Sequence, residues 1–354
     1  MTKKIKGIKS NTKSNTKSNT KSNTKKHYPF KFSNSSRKDS QLGGGCFGKI
    51  YLMDHLIDKQ KYAVKHINTK KIQSFLTLLK GRPISRAKTL DFIFNEGKIL
   101  AKLNHENITR YYNTRYTRNI IYITLEVMGG GNLEQAIEKK VFLKKPKLVY
   151  DILMQICRGL TYLHDNNILH RDIKASNILL CDNNWENIKV KLGDFGLSCL
   201  LETGCYKQDT NQKGAGDLFY RSPEAVAGKP YDKGDDNWAM GIVLLEMVSC
   251  IILPNFISGK IFSVYKDFQE YIDSIIEDYF IMENTHYKRL ETIIKKLLNK
   301  NPTERLTSKK ILDINTHFMP CLTKNRSNTF DIKTTLTPIV TNVKNIIDNN
   351  PKTA

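Results

Sequence analysis

The chain has 354 residues, of which 40% are hydrophobic and 26% charged, and its formal net charge is +23. That length is enough for one large or two small domains with a real core, and the basic excess favours anionic partners in general. Its seven cysteines are odd in number and form no C-x-x-C pair, which argues against a disulfide framework or a zinc site and suits a reducing compartment, cytoplasmic or otherwise intracellular.

Residues 1–35 are predicted to be a disordered basic tail. KSNT occurs four times in a row from Lys9 to Thr24, and residues 1–40 hold 12 Lys or Arg against one Asp. A polar four-residue period buries no core. A solubilising role is the plain reading of this charge, and a weak anionic partner such as RNA or a membrane is the alternative. No apolar run follows the basic start, so it is not a secretory signal.

From 36 to 128 the pattern is strand-like. KIYLMDHL (49–56), QKYAVKHIN (60–68) and NIIYITLEV (119–127) alternate and are β-rich, while TLDFIFNEGKILAKLN (89–104) carries apolar residues at helical spacing. After GGGNL at 129–133 the character turns helical, with KLVYDILMQICRGLTYLHDNN (147–167), the 237–250 segment and HYKRLETIIKKLLNK (286–300). The apolar stretch 238–253 is short for a membrane span and contains Glu246, so it reads as a buried core helix and no transmembrane segment is expected. Residues 321–354 are a polar tail. A small β-rich lobe (36–128) followed by a larger helical lobe (129–320) is an α+β arrangement with a cleft at the joint, where ligand sites are favoured.

Three stretches concentrate chemistry. LGGGCFGKI (42–50) places Gly43, Gly45 and Gly48 as G-x-G-x-x-G. A strand follows rather than the helix of a dinucleotide fold, so a hairpin with a glycine turn fits, its N–H groups open to phosphate oxygens. The strand leads to Lys65, a point charge for those phosphates, with Glu96 of the next helix as its natural partner. Further on, HRDIKASN (170–177) and LGDFGLS (192–198) put Asp172, Lys174, Asn177 and Asp194 in order, a set suited to a phosphorylated ligand and its metal.

The ordered set of glycine loop, Lys65, Glu96, HRDIKASN, DFG and SPE (222–224) resembles the eukaryotic-type protein kinase family, serine/threonine type, over residues 38–320. The resemblance implies a bilobal α+β fold, ATP and Mg2+ as nucleotide and metal, and a protein substrate. It implies that Asp172 receives the substrate hydroxyl proton, that Lys174 touches the γ-phosphate, and that Lys65 and Glu96 pair against the phosphates. Asn177 and Asp194 would hold metal. Nucleotide contacts would come from Leu42, Gly43, Gly44, Gly45, Cys46, Phe47, Gly48, Lys49, Ile50, Ala63 and Leu179, with Glu126 to Met128 as the hinge. Leu125 would guard the back of the pocket. Tyr111, Leu100, Phe195 and His170 would link the lobes, Glu224 would pair with Arg305, and Asp236 would brace the catalytic loop.

Asp217 stands where this family usually carries Thr, and is expected to crowd Asp172 or pair with Lys174. Arg221 stands at a usually apolar position lining the pocket for the residue after the phosphorylated one, and would favour an acidic residue there. Thr203, Tyr206 and Thr210 are candidate phosphosites, with Arg171 as the residue type that reads such a phosphate. Locally, HENITRYYN (105–113) and KLGDFGLS resemble kinases of the translation initiation factor 2 α-subunit, whose target serine is followed by a basic residue. A kinase-like scaffold without activity and a nucleic-acid-binding protein are the readings from other classes. The first would normally lack Lys65, Asp172 or Asp194, and the second would lose its main activity with residues 1–35.

Overall fold

The computed structural model describes residues 29–45, 47–201, 217–253 and 285–316. An antiparallel sheet comes first: β1 (Phe30–Phe32), β2 (Gln41–Gly45), β3 (Gly48–His55), β4 (Lys61–Asn68), β5 (Tyr111–Thr117) and β6 (Ile120–Leu125). The spatial order is β1-β3-β4-β6-β5, with β2 also on β3. Side chains alternate between its faces. Tyr51, Met53 and Val64 form an outer cluster, covered by Phe30, Phe32, Tyr62 and Tyr122. Ala63, Ile67 and Ile123 join the main core on the other side.

β1 pairs with β3, Phe30 opposite His55 and Phe32 opposite Met53. The sheet therefore begins inside the stretch expected to be tail, and the boundary at residue 35 cuts through it. Residues 1–28, Cys46, the candidate phosphosites Thr203, Tyr206 and Thr210, and the C-terminal tail lie outside the described residues.

Two helices, not one, connect β4 to β5. Asn68 caps α1 (Thr69–Lys80) by accepting the Lys70 and Lys71 N–H groups, and Gly81 ends it at φ 60°. Ser85 then caps α2 (Arg86–Leu100) through the Lys88 N–H. The predicted helix at 89–104 is thus shifted, and a further helix stands before it.

The rest is mainly helical. α3 (Leu133–Glu138) opens with a reciprocal Asn132–Gln135 cap, and α4 (Pro146–Asp165) has proline in its first turn. α5 (Pro223–Val226), α6 (Lys233–Ser249), α7 (Thr285–Leu297) and α8 (Ser308–Thr316) follow. α6 is buried from Asp235 to Ser249, as expected for the apolar stretch. It packs on α4, which also contacts α7 and α8. Among the described residues no helix is long and apolar enough to cross a membrane. Cys157, Cys181 and Cys250 are free, but Cys199 is disulfide-bonded, which departs from the expectation of none.

Candidate active site

β4 and α2 present the first charges of the cleft. Lys65 lies opposite Ile50 of β3 and Ile123 of β6, so its side chain shares the inner face with Ala63. Its Nζ donates to Glu96 Oε1 and Oε2 at 2.7 and 2.9 Å and to Asp194 Oδ1 at 2.8 Å. Burial alone would lower the pKa of Lys65, but the charges of Asp194 and Glu96 outweigh it and raise it. Asp194 is pulled below the usual carboxylate range, Lys65 overcoming the opposite effect of burial. Burial dominates for Glu96 and pushes it up.

Two short strands, β7 (Ile178–Leu180) and β8 (Val190–Leu192), pair antiparallel and carry the remaining acids on their flanks. Asn177 Nδ2 donates to the Asp172 carbonyl and to its Oδ2, both at 2.8 Å, and Lys174 Nζ lies 3.2 Å from the same Oδ2. Burial works against the Lys174 ammonium, but Asp172, with Asp217 and Asp194 further off, raises its pKa. Arg171 and Asp194 hold φ of 68° and 54°, the left-handed region. For residues other than glycine such strain persists only where surroundings fix it.

Asp236, fully buried on α6, supplies part of that fixing. Its carboxylate accepts the His170 and Arg171 N–H groups at 2.9 Å each, and the Tyr231 hydroxyl at 2.9 Å. His164 Nε2 lies 3.0 Å away. Burial would raise this acid, but the His164 hydrogen bond and these partners hold it low. Behind Asp194, His170 Nε2 is 3.0 Å from the Gly193 carbonyl and its ring is 4.9 Å from Phe195. Leu100 and Phe195 are buried and Tyr111 half-buried in the same core. α2 is tied to this segment by Asn95, which donates to the Ser198 carbonyl at 3.0 Å. Arg305 and Glu224 form a buried bidentate pair.

The sheet's register divides the glycine loop. Ile50 faces the cleft with Lys65, but Lys49 lies opposite His66 and turns outward, away from the position expected of it. The Phe47 ring also leaves the cleft, packing at 6.1 Å from Phe75 and 5.7 Å from Phe92. Gly43, Gly44 and Gly45 run along β2, facing Ile50, Lys49 and Gly48. Gly48 has φ 157°, and a Cβ there would lie 2.8 Å from the His66 carbonyl oxygen. Leu42 is 50% exposed.

At the hinge, the Glu126 carboxylate is engaged by Lys191 at 2.7 and 3.0 Å. Gly129 and Gly130 donate to Cys181 and Leu180, and no described residue bonds the Met128 backbone. Leu179 is half-buried beside Gly193. Asp217 neither pairs with Lys174 nor abuts Asp172. It accepts the Phe219 N–H at 3.3 Å as the cap of a short 3-10 turn, and Lys174 goes to Asp172 instead. Asp236 braces the catalytic loop as the resemblance implied, whereas the Asn95 tie went unnamed, since its partner Ser198 lies far away in sequence.

The family model described as a protein kinase domain matches residues 36–317. The chain is 31% identical over 275 residues to serine/threonine-protein kinase Nek1 of Mus musculus, covering 77% of this chain and 20% of that protein. It is 29% identical to probable serine/threonine-protein kinase nek1 of Dictyostelium discoideum, over 77% of this chain and 54% of the relative. A third relative is the interferon-induced, double-stranded RNA-activated protein kinase of Mus musculus, at 28% identity over 84% of this chain and 54% of the relative. The chain thus spans from a fifth to about half the length of these relatives. With the domain match extending over most of the sequence, the chain belongs to the protein kinase family.

Proposed function

We propose that this chain is an intracellular ATP- and Mg2+-dependent serine/threonine protein kinase. The observation that carries the reading is the convergence of Lys65, bridging Glu96 and Asp194, with the Asp172–Asn177–Lys174 cluster. A surface acid or lysine needs none of these buried partners.

The donor set fits the metal. Mg2+ prefers hard oxygen ligands, takes one or two protein groups and completes its shell with water and phosphate. Asp194 supplies a carboxylate. Asn177 uses its amide nitrogen on Asp172, which leaves its amide oxygen for a cation. When bound, the metal would neutralise charge on the bridging phosphate oxygens.

The chain's own residues do the remainder. The open Met128 backbone receives the purine edge, between Ala63 and Ile50 above and Leu179 below. Lys65 withdraws charge from the phosphates. Asp172 accepts the proton of the substrate hydroxyl as its oxygen forms a bond to the γ-phosphorus. The bond from that phosphorus to the ADP oxygen breaks, and Lys174 stabilises the charge in transit. Positioning and charge account for the rate in such a reaction.

The substrate side is set in part by Arg221. Its guanidinium feels Tyr231, Asp217, Arg171 and Asp172, so it stands near the acceptor site and favours an acidic residue after the target hydroxyl. That works against the initiation-factor substrate, whose serine precedes a basic residue. The test is transfer of radiolabelled phosphate from ATP across a peptide array, with Asp172→Asn as control. Labelling of serine or threonine peptides, abolished in the control, is the expected result. Equal labelling by the control sinks the proposal.

A further inference from the structure

The outer face of the sheet carries a hollow of about 660 Å³. The segment before β2, the β2–β3 hairpin, the end of β4 and the first turn of α1 enclose it. Four cations line it, Arg37, Lys38, Lys49 and Lys71, and no described lining residue is acidic. Among the described residues none of the four has a carboxylate at ion-pair distance.

The fold holds these charges together. Arg37 lies with its Cζ 4.8 Å from the Tyr51 ring centroid and 5.8 Å from that of Phe32. Lys49 is fixed by strand register opposite His66. Lys71 sits in the capped first turn of α1, its N–H held by Asn68. Gathering four like charges in one concavity is unfavourable without a counter-charge, and a concave wall focuses their field. Elsewhere on the sheet lysines find acids, as Lys61 and Lys31 do at Asp54. Here no acid is found among the described lining residues.

The volume lies within the range of about 300–1,000 Å³ typical of small-molecule sites. Phosphate oxygens take charge-assisted hydrogen bonds from lysine and arginine, arginine with two parallel donors. Cations on several sides suit a ligand with several charged corners, while a nucleic acid strand would need a continued track. We propose that this hollow binds a small soluble anion carrying several phosphoryl groups. Gly45, Phe47 and Gly48 also line it, so the occupant would rest on the back of the hairpin whose front faces the cleft. The binding itself does not depend on the kinase reading.

The test uses the full chain with the cleft saturated by Mg2+ and a non-hydrolysable ATP analogue, titrated calorimetrically with inositol hexakisphosphate at physiological salt. One-to-one binding is expected, weakened at least about tenfold in the Lys38→Glu/Lys71→Glu double variant (roughly 1.4 kcal/mol) and also in Arg37→Gln. Phosphoryl transfer without the probe should be unchanged in the double variant, whose exposed side chains leave folding intact by circular dichroism. Absence of binding overturns the proposal. So does equal affinity in the double variant, which would put the probe on the lysine-rich tail or on diffuse charge. Tighter, variant-sensitive binding of oligouridylate, or of phosphoinositide vesicles, would replace it with a nucleic-acid or membrane surface.

Discussion

Lys65 is held between two carboxylates, and each contact has a separate use. Glu96 fixes the ammonium, and in the reading proposed above Asp194 would turn from Lys65 toward a metal. Lys65→Met, Asp172→Asn and Asp194→Asn should each slow phosphoryl transfer by about 10²-fold or more, roughly 2.7 kcal/mol of barrier. Steady-state assays at saturating ATP, with circular dichroism to confirm folding, check this. Near-wild-type turnover of the Asp194 variant would remove the metal assignment. Asp217→Thr is expected to preserve or raise activity, because a threonine hydroxyl can also cap Phe219 and the charge near Lys174 disappears. A tenfold loss in matched kinetics would give Asp217 a positive role. For Arg221, two peptides differing only in Glu or Arg after the target serine should differ by about two- to fivefold in kcat/KM, as a partly exposed pair contributes roughly 0.2–1 kcal/mol. Equal rates on both would end the electrostatic reading. Among these residues, the convergence of Lys65, Glu96 and Asp194 and of Asp172 with Asn177 was legible, the second from one short motif and the first from the order of motifs along the chain. Lys49 and Phe47 were not, because strand register decides which face each takes, and a shift of one residue inverts it.

At the scale of elements, the cleft depends on anchors that lie outside it. Asp236 fixes the loop before Asp172 from inside α6, at Arg171 and His170. Replacing it by alanine strands two buried N–H groups and should cost about 3–5 kcal/mol, as when one partner of a buried charged network is removed. Urea unfolding measures this, and an unchanged midpoint would mean the loop holds itself. Gly48→Ala is aimed at the hairpin. The new Cβ would meet the His66 carbonyl at 2.8 Å, so β3 must shift against β4. KM for ATP should rise several-fold while the helical lobe keeps its stability. The elements themselves were only partly legible. The strands and α4 follow their periodicity. α1 has no counterpart among the predicted helices although its Asn68 cap and Gly81 terminus are both written in the sequence. The helix-length apolar stretch of α6 was read correctly as core, since Glu246 within it finds Tyr220 at 3.0 Å.

Over the whole molecule, buried acids set the response to pH. Burial pushes Glu246 up to about 8 and Asp235 up to about 7. Both folded-state values exceed those of the unfolded chain, roughly 4. These two acids keep protons that the unfolded chain releases, so the stability they contribute is full near pH 4 and is lost as pH rises through 7 to 8, while His66, held down to about 4 by burial, removes stability as pH falls below about 6.5. Asp194 and Asp236, both lowered, act in the opposite sense and remove stability only below about pH 4. Thermal midpoints should fall between about pH 6.5 and 8 and level off above. In Glu246→Gln the fall should be shallower, and an identical slope would show that this carboxylate is not the titrating group.

The three residues of β1 extend the fold beyond the family's edge. A polypeptide begun at residue 36, where the domain match starts, would keep every cleft residue and yet strip Phe30 and Phe32 from the outer sheet. Tyr51, Met53 and Val64, now 0–2% exposed, would then form a bare greasy patch beside an unpaired strand edge. Such edges invite other chains to add themselves. The shortened protein should therefore self-associate and precipitate when concentrated, while one begun at residue 28 or earlier remains a monodisperse species in light scattering. In that sense the first strand is a chaperone that the domain carries with it.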